Sequence, residues 1–134
     1  MDKATGSNPV DPTPFFTILM FDFEKLEVYG VARELNRNVL AFIFKDTNID
    51  AHIRDSWKKG SLATVLHLAE GVGRMTDADK RHYFTMARSA VYECVALLHL
   101  ISDLDQIDAN TYQDFYARYE QLSKMLLGMY RSKS

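Results

Sequence analysis

The side chains best equipped for chemistry fall into a few groups: His67 with Glu70, Glu93, Cys94, and the basic residues Arg54, Lys58, Lys59 and Arg74. The first reaction to consider is metal chemistry on glutamates. A carboxylate-bridged dimetal site in a helical bundle takes a glutamate from each of two helices and a Glu-x-x-His pair from each of the other two. Here His67 and Glu70 stand in the reverse order, and Glu27, Glu34, Glu93 and Glu120 are scattered. No histidine follows His99, and Lys124 sits one helical turn after Glu120. His52, His82 and His99 have no histidine, cysteine or glutamate three or four positions away. The expectation is therefore no metal, no cofactor and no catalytic residue.

Glu70-Gly71-Val72-Gly73-Arg74 has the glycine content of a phosphate loop. Such a loop follows a strand and opens a helix, so that free N–H groups point at the anion. These glycines instead follow a helical pattern, and are read as its stop. Lys58, Lys59 and Arg74 remain as candidate contacts for an anion or a nucleic acid. Cys94 lies in an apolar row and is expected to be core rather than nucleophile.

Four periodic segments must position these groups. Val28, Ala32, Leu35, Val39 and Phe42 recur in steps of four and three, predicting a helix over 22–45 opened by Asp22. Asp46, Thr47 and Asn48 supply turn chemistry. A second helix over 49–70 has a less regular face, drawn by Ile53, Trp57, Leu62, Leu66 and Ala69. Gly60, Ser61, Ala63 and Thr64 crowd its middle and would let a neighbouring backbone come close. Thr76 opens a third helix over 77–104, with Tyr83, Ala87, Ala90, Cys94, Leu97, Ile101 and Leu104 in a row. Asp108 opens a fourth over 109–131, with Tyr112, Phe115, Tyr119, Leu122, Leu126 and Met129. No strand-like alternation competes. Short connections force neighbouring helices antiparallel, so the fold class is all-α, an up-down-up-down four-helix bundle. Its core should include Leu35, Val39, Ala90, Cys94, Leu97, Tyr119 and Leu122.

The chain has 134 residues, enough for one domain. The bundle domain is expected over 22–134, preceded by a flexible arm over 1–21 that holds all three prolines. With 16 basic against 18 acidic side chains, the formal charge is −2, which gives no global attraction to phosphate backbones or anionic lipid. A single cysteine suits a reducing compartment, and the apolar run from Phe15 to Phe21 is too short to span a bilayer. A cytoplasmic location is expected.

Within this frame Ala69-Glu70-Gly71-Val72-Gly73-Arg74, preceded by Lys58-Lys59, resembles the signature of the 23S rRNA-intervening sequence proteins, a family of four-helix bundles. The third-helix stretch Tyr83 to Glu93, the opening Phe23 to Tyr29 and the closing Leu122 to Arg131 are similar to it as well. The likeness covers about residues 21–132. The chain has Val65 and His67 where the family usually has proline and asparagine. The resemblance implies a polar site of His67, Glu70 and Glu93, and a pentamer. A more distant likeness is to the accessory proteins of diversity-generating retroelements, basic rings that bind a reverse transcriptase and nucleic acid.

The leading functional expectation is a non-enzymatic, oligomeric scaffold or adaptor that binds a macromolecular partner. An RNA- or ribonucleoprotein-binding accessory protein using Lys58, Lys59 and Arg74 is the alternative. A small-molecule or metal-dependent enzyme around His67, Glu70 and Glu93 is the third reading. Phe15, Phe16, Ile18 and Leu19 precede the first helix, and Phe44, Tyr92 and Tyr116 fall away from their rows. A monomeric bundle has no second core for them, which points to a homo-oligomer.

Overall fold

The computed structural model describes residues 21–45 and 48–133. A short 3-10 turn, Asp22–Lys25, leads into four helices: α1 (Glu27–Lys45), α2 (Ala51–Val72), α3 (Asp77–Asp103) and α4 (Ala109–Arg131). No strand occurs among the described residues. The helices form an antiparallel bundle in which α1 packs on α2 and α4, and α3 packs on α2 and α4. Most of the expected arm, residues 1–20, lies outside the described residues, as do Asp46 and Thr47.

Polar side chains set the helix starts. Thr76 Oγ1 accepts a hydrogen bond from the backbone N–H of Asp79, at 3.1 Å, and Asp108 accepts from that of Thr111, at 2.9 Å. Each satisfies an orphan donor of the first turn. The cap of α2 is Asp50, whose carboxylate accepts from the N–H groups of His52 and Ile53. Sequence places the turn chemistry earlier, at residues 46–48, and the helix start at Ile49 rather than Ala51. The first helix also starts later than Asp22. Leu26 is extended and interrupts it, packing against the core while the Phe23 ring meets Tyr29 edge-on at 4.8 Å.

Helix ends are equally specific. At the end of α3, Asp105 takes a positive φ of 56° and the Gln106 N–H reaches back to the Ile101 carbonyl, at 2.8 Å. This is a Schellman closure with aspartate in the position glycine usually holds. The Gln106 side chain then accepts from the Asp50 N–H at 2.9 Å, tying this turn to the start of α2. At the opposite end, Lys80 donates to the Val72 carbonyl at 2.7 Å, and Arg81 donates to the carbonyl of Lys133. Two basic residues of α3 thus neutralise the negative ends of α2 and α4.

The core rows differ from the expected ones on two helices. On α2 the buried positions are Trp57, Gly60, Ser61, Thr64, Leu68 and Gly71, whereas Leu62 and Leu66 are exposed. The small residues are the inner face because α3 lies close over them. A Cβ on Gly60 would sit 3.0 Å from Cys94 Sγ, and one on Gly71 would sit within 2.9 Å of the Phe84 ring and Tyr83 Cβ. Gly71 is therefore a close-approach residue inside the helix. Gly73, at φ −81°, is not a left-handed cap either.

On α3 the row Ala87, Cys94 and Ile101 is buried as expected, together with Ala90. Its partners are Phe84, Val91 and Leu98 rather than Tyr83, Leu97 and Leu104. Leu97 is only partly buried at the core's edge, and Leu104 is 53% exposed beyond the helix end. Both flanking rows are apolar in sequence. Contact with α2 on one side and α4 on the other selects the one that turns fully inward. Of the seven expected core residues, Leu35, Val39, Ala90, Cys94, Tyr119 and Leu122 are buried.

Candidate functional site

The residues singled out from the sequence occupy three levels of the bundle. At the α2–α3 hairpin, His67 Nδ1 lies 3.1 Å from Glu70 Oε1, one turn apart on α2. Arg74 stacks its guanidinium 4.3 Å from the centroid of the Tyr83 ring and donates to the Tyr83 hydroxyl. The His82 ring meets Tyr83 edge-on. Glu93 is elsewhere: its carboxylate lies beside Gly60. Ten residues of α2 separate Gly60 from Glu70, about 15 Å along the axis. The structure pairs His67 with Glu70 and leaves Glu93 out of that group.

The basic residues are likewise divided. Lys58 holds its ammonium 5.9 Å from the exposed Phe44 ring, and Lys59 projects beside Asp55 and Ser56. Arg74 lies beyond the end of α2, about 20 Å further along at 1.5 Å per residue. Within one chain these cations are a pair and a single, not a continuous track. Among the described residues no three of His, Cys, Asp and Glu converge as metal ligands would.

Cys94 sits at the centre of the bundle with no solvent exposure. Ser61 Oγ is 4.0 Å from its sulfur, and Trp57 Nε1 donates to the neighbouring Tyr119 hydroxyl at 2.9 Å. Burial pushes the Cys94 thiol up to about 11, against the smaller opposing effect of hydrogen bonding from Tyr119 and Ser61. Burial also raises the Tyr119 phenol well above its ordinary range. A thiol held protonated and out of solvent is not a nucleophile. The folded protein should leave Cys94 unlabelled by an aromatic disulfide reagent at pH 8, with full reaction on adding denaturant. Fast labelling of the native chain would contradict the packing. Because the folded value is raised, this group's stabilising contribution is complete below pH 9. It should then fall as pH rises through 11, a loss that denaturant titrations at pH 8 and pH 10.5 would register.

A feature not read from the sequence runs along the outside of α3 and α4. Two adjoining hollows, of about 310 and 460 Å³, share Arg88 and Tyr92 and form one furrow. Tyr130 and Phe84 line one end, His99 and Tyr116 the other. Arg88 holds the middle: its Nε donates to the Ser123 carbonyl at 3.2 Å, and its guanidinium lies 5.0 Å from the Tyr92 ring centroid. At the far end the His99, Tyr112 and Tyr116 rings are nearly parallel, with centroids 6.0–6.4 Å apart. In sequence Tyr92 and Tyr116 stand out only as isolated off-row aromatics. The signal that joins them is the spacing of Arg88, Tyr92 and His99 on α3 against Tyr116, Ser123 and Tyr130 on α4, read antiparallel.

The sequence profile of the 23S rRNA-intervening sequence protein family matches residues 24–128, from the 3-10 turn into the last turns of α4. The chain belongs to that family. The fold agrees with a solved structure from Bacteroides thetaiotaomicron, a protein of unknown function from the S23 ribosomal protein family. The two superpose with a TM-score of 0.71 at 13% identity, over 77% of this chain and 97% of the other. No match is found among curated proteins. In this member of the 23S rRNA-intervening sequence protein family, α3 carries one long apolar window. By length and composition α3 could cross a membrane, with a mean hydropathy of 1.3 over its best window. In this fold its fully buried residues, Phe84 to Ile101, are inside the bundle.

Proposed function

We propose that this 23S rRNA-intervening sequence family member is a non-catalytic, cytoplasmic subunit of a homo-oligomer, a pentamer by family resemblance. The assembled surface binds a macromolecular partner. The observation that carries this reading is the apolar and aromatic surface left outside a complete core. Phe44 is 65% exposed, Leu66 58% and Tyr92 57%, with Tyr116 and Leu62 also open. Phe44, Leu62 and Leu66 lie on α1 and α2, and Tyr92 and Tyr116 on α3 and α4; exposed apolar surface beyond a complete core supports an interface. The furrow on α3 and α4 is its best-formed part, with a basic side chain fixed across its middle. An enzyme built on His67, Glu70 and Glu93 has less support, since the first two form an open surface pair and the third lies at another level.

Replacing Tyr92 and Tyr116 together by glutamate puts charge into the furrow without touching the core. The expected result is a shift of the assembly toward monomer in light scattering, with far-UV helicity unchanged. An unaltered mass would remove the furrow from the interface. The exposed Arg74 and Lys59 favour the second reading, an RNA-binding accessory, because a ring would repeat them around an axis. RNA affinity that falls steeply with salt, and is lost on replacing Lys58, Lys59 and Arg74 by glutamate, would select it.

A further inference from the structure

The furrow between α3 and α4 needs an occupant, and the chain carries a segment suited to it. We propose that residues 15–20 of one copy dock in the α3–α4 furrow of a neighbouring copy, so that the arm links subunits of the oligomer. This rests on the oligomeric reading above and adds to it which surfaces meet. Three observations point to this occupant.

The first is chemical. From Pro12 through Phe21 the chain has no charged residue, and Phe15, Phe16, Ile18, Leu19 and Met20 are apolar. The four helices close a core of their own, in which Trp57, Leu68, Leu98 and Leu122 are fully buried. The furrow offers the matching surface, aromatic along its length. Its hollows fall in the 300–1,000 Å³ range over which pockets enclose ligand-sized groups.

The second is topological. The described chain begins at Phe21, and the turn that follows packs against α1 and α2. In a bundle where α3 and α4 are the remaining pair, the furrow is on the opposite side. Phe21, which caps that turn, is itself 64% exposed. A stretch of six residues can reach at most about 20 Å from that point, at 3.3–3.6 Å per residue. Two interaxial spacings of 8–10 Å use that whole length merely to pass round the bundle. A neighbour's furrow placed against the α1–α2 side is reached directly.

The third concerns polar satisfaction. An extended segment brings backbone N–H and C=O groups that require partners. The furrow is edged by Ser89, Ser123 and the Tyr130 hydroxyl, with Glu120 and Lys124 toward the His99 end. These supply donors and acceptors beside the aromatic surface.

The test places the photo-crosslinker p-benzoyl-phenylalanine at position 16 of the full chain. Nitrogen-15-labelled and unlabelled copies are mixed, irradiated and digested. Linked peptides should join position 16 of one isotope to α3 residues 88–99 or α4 residues 116–130 of the other. Links confined to a single copy, links to α1 or α2, or no links from an assembled oligomer would overturn the proposal and leave the oligomer standing. In parallel, Phe15→Ser with Phe16→Ser should raise the concentration at which the assembly dissociates by at least tenfold, while helicity is kept. No change in that concentration would likewise overturn it. A wild-type chain that is monomeric throughout would remove the oligomeric reading itself.

Discussion

Trp57→Ala should cost about 3–5 kcal/mol of stability, as large-to-small changes of buried aromatics do. The indole is fully buried and meets the Phe42 and Phe115 rings edge-on, each about 6.0 Å away between centroids. Three rings from three helices, α1, α2 and α4, are held together at this point. The indole N–H is also the donor to Tyr119 Oη, so truncation leaves a buried phenol short of a partner. Losing that one bond, with Cys94 and Ser61 still beside the phenol, adds about 0.5–1.5 kcal/mol. Against the total of about 5–15 kcal/mol typical of a domain, the variant should be marginal. Urea unfolding followed by circular dichroism at fixed protein concentration measures it. A loss below about 1 kcal/mol, too small for a large-to-small core change, would mean the indole does not hold the three helices together.

Leu98→Ala should cost about 2–5 kcal/mol, and Leu97→Ala distinctly less. The two leucines are adjacent on α3 and chemically identical, so the comparison isolates their placement. Leu98 is fully buried, whereas Leu97 lies at the edge of the core and is partly in solvent. Truncating Leu98 opens a cavity between packed helices, while the gap left at Leu97 opens to water. The same urea titration ranks them. Equal losses, or a larger one at Leu97, would require α3 to be turned about its axis so that Leu97 faces the core.

That pair of leucines also shows where the sequence is a sufficient guide and where it is not. The number of helices, their order and most of their limits follow from apolar periodicity and from Thr76 and Asp108, whose capping chemistry is local. Which of two apolar rows on α3 turns inward is decided by α2 and α4, and no window on α3 contains that information. Helix α2 misleads for a related reason. Leu62 and Leu66 carry the hydrophobic signal, but α3 lies so close that a side chain at Gly60 or Gly71 would run into it. Size selects the buried face there more strongly than apolarity does.

The candidate site is legible in the sequence to a similar degree. The His67–Glu70 pair follows from one helical turn, whereas the position of Glu93 depends on how α2 and α3 are registered against each other. Lys58 and Lys59 stay side by side, while the length of α2 holds Arg74 about 20 Å from them. The furrow is invisible there because its residues come from two helices, and each looks like an isolated aromatic on its own.

The proposed role stands on assembly, since a lone bundle of this composition exposes its aromatics to water and has no repeated surface to offer a partner. Light scattering coupled to size exclusion, on the full chain at micromolar concentration, measures that most directly. The mass expected of the assembly is about five times the 15.4 kDa of one chain. A mass of 15.4 kDa, unchanged as concentration is raised, would contradict the oligomer and the role built on it.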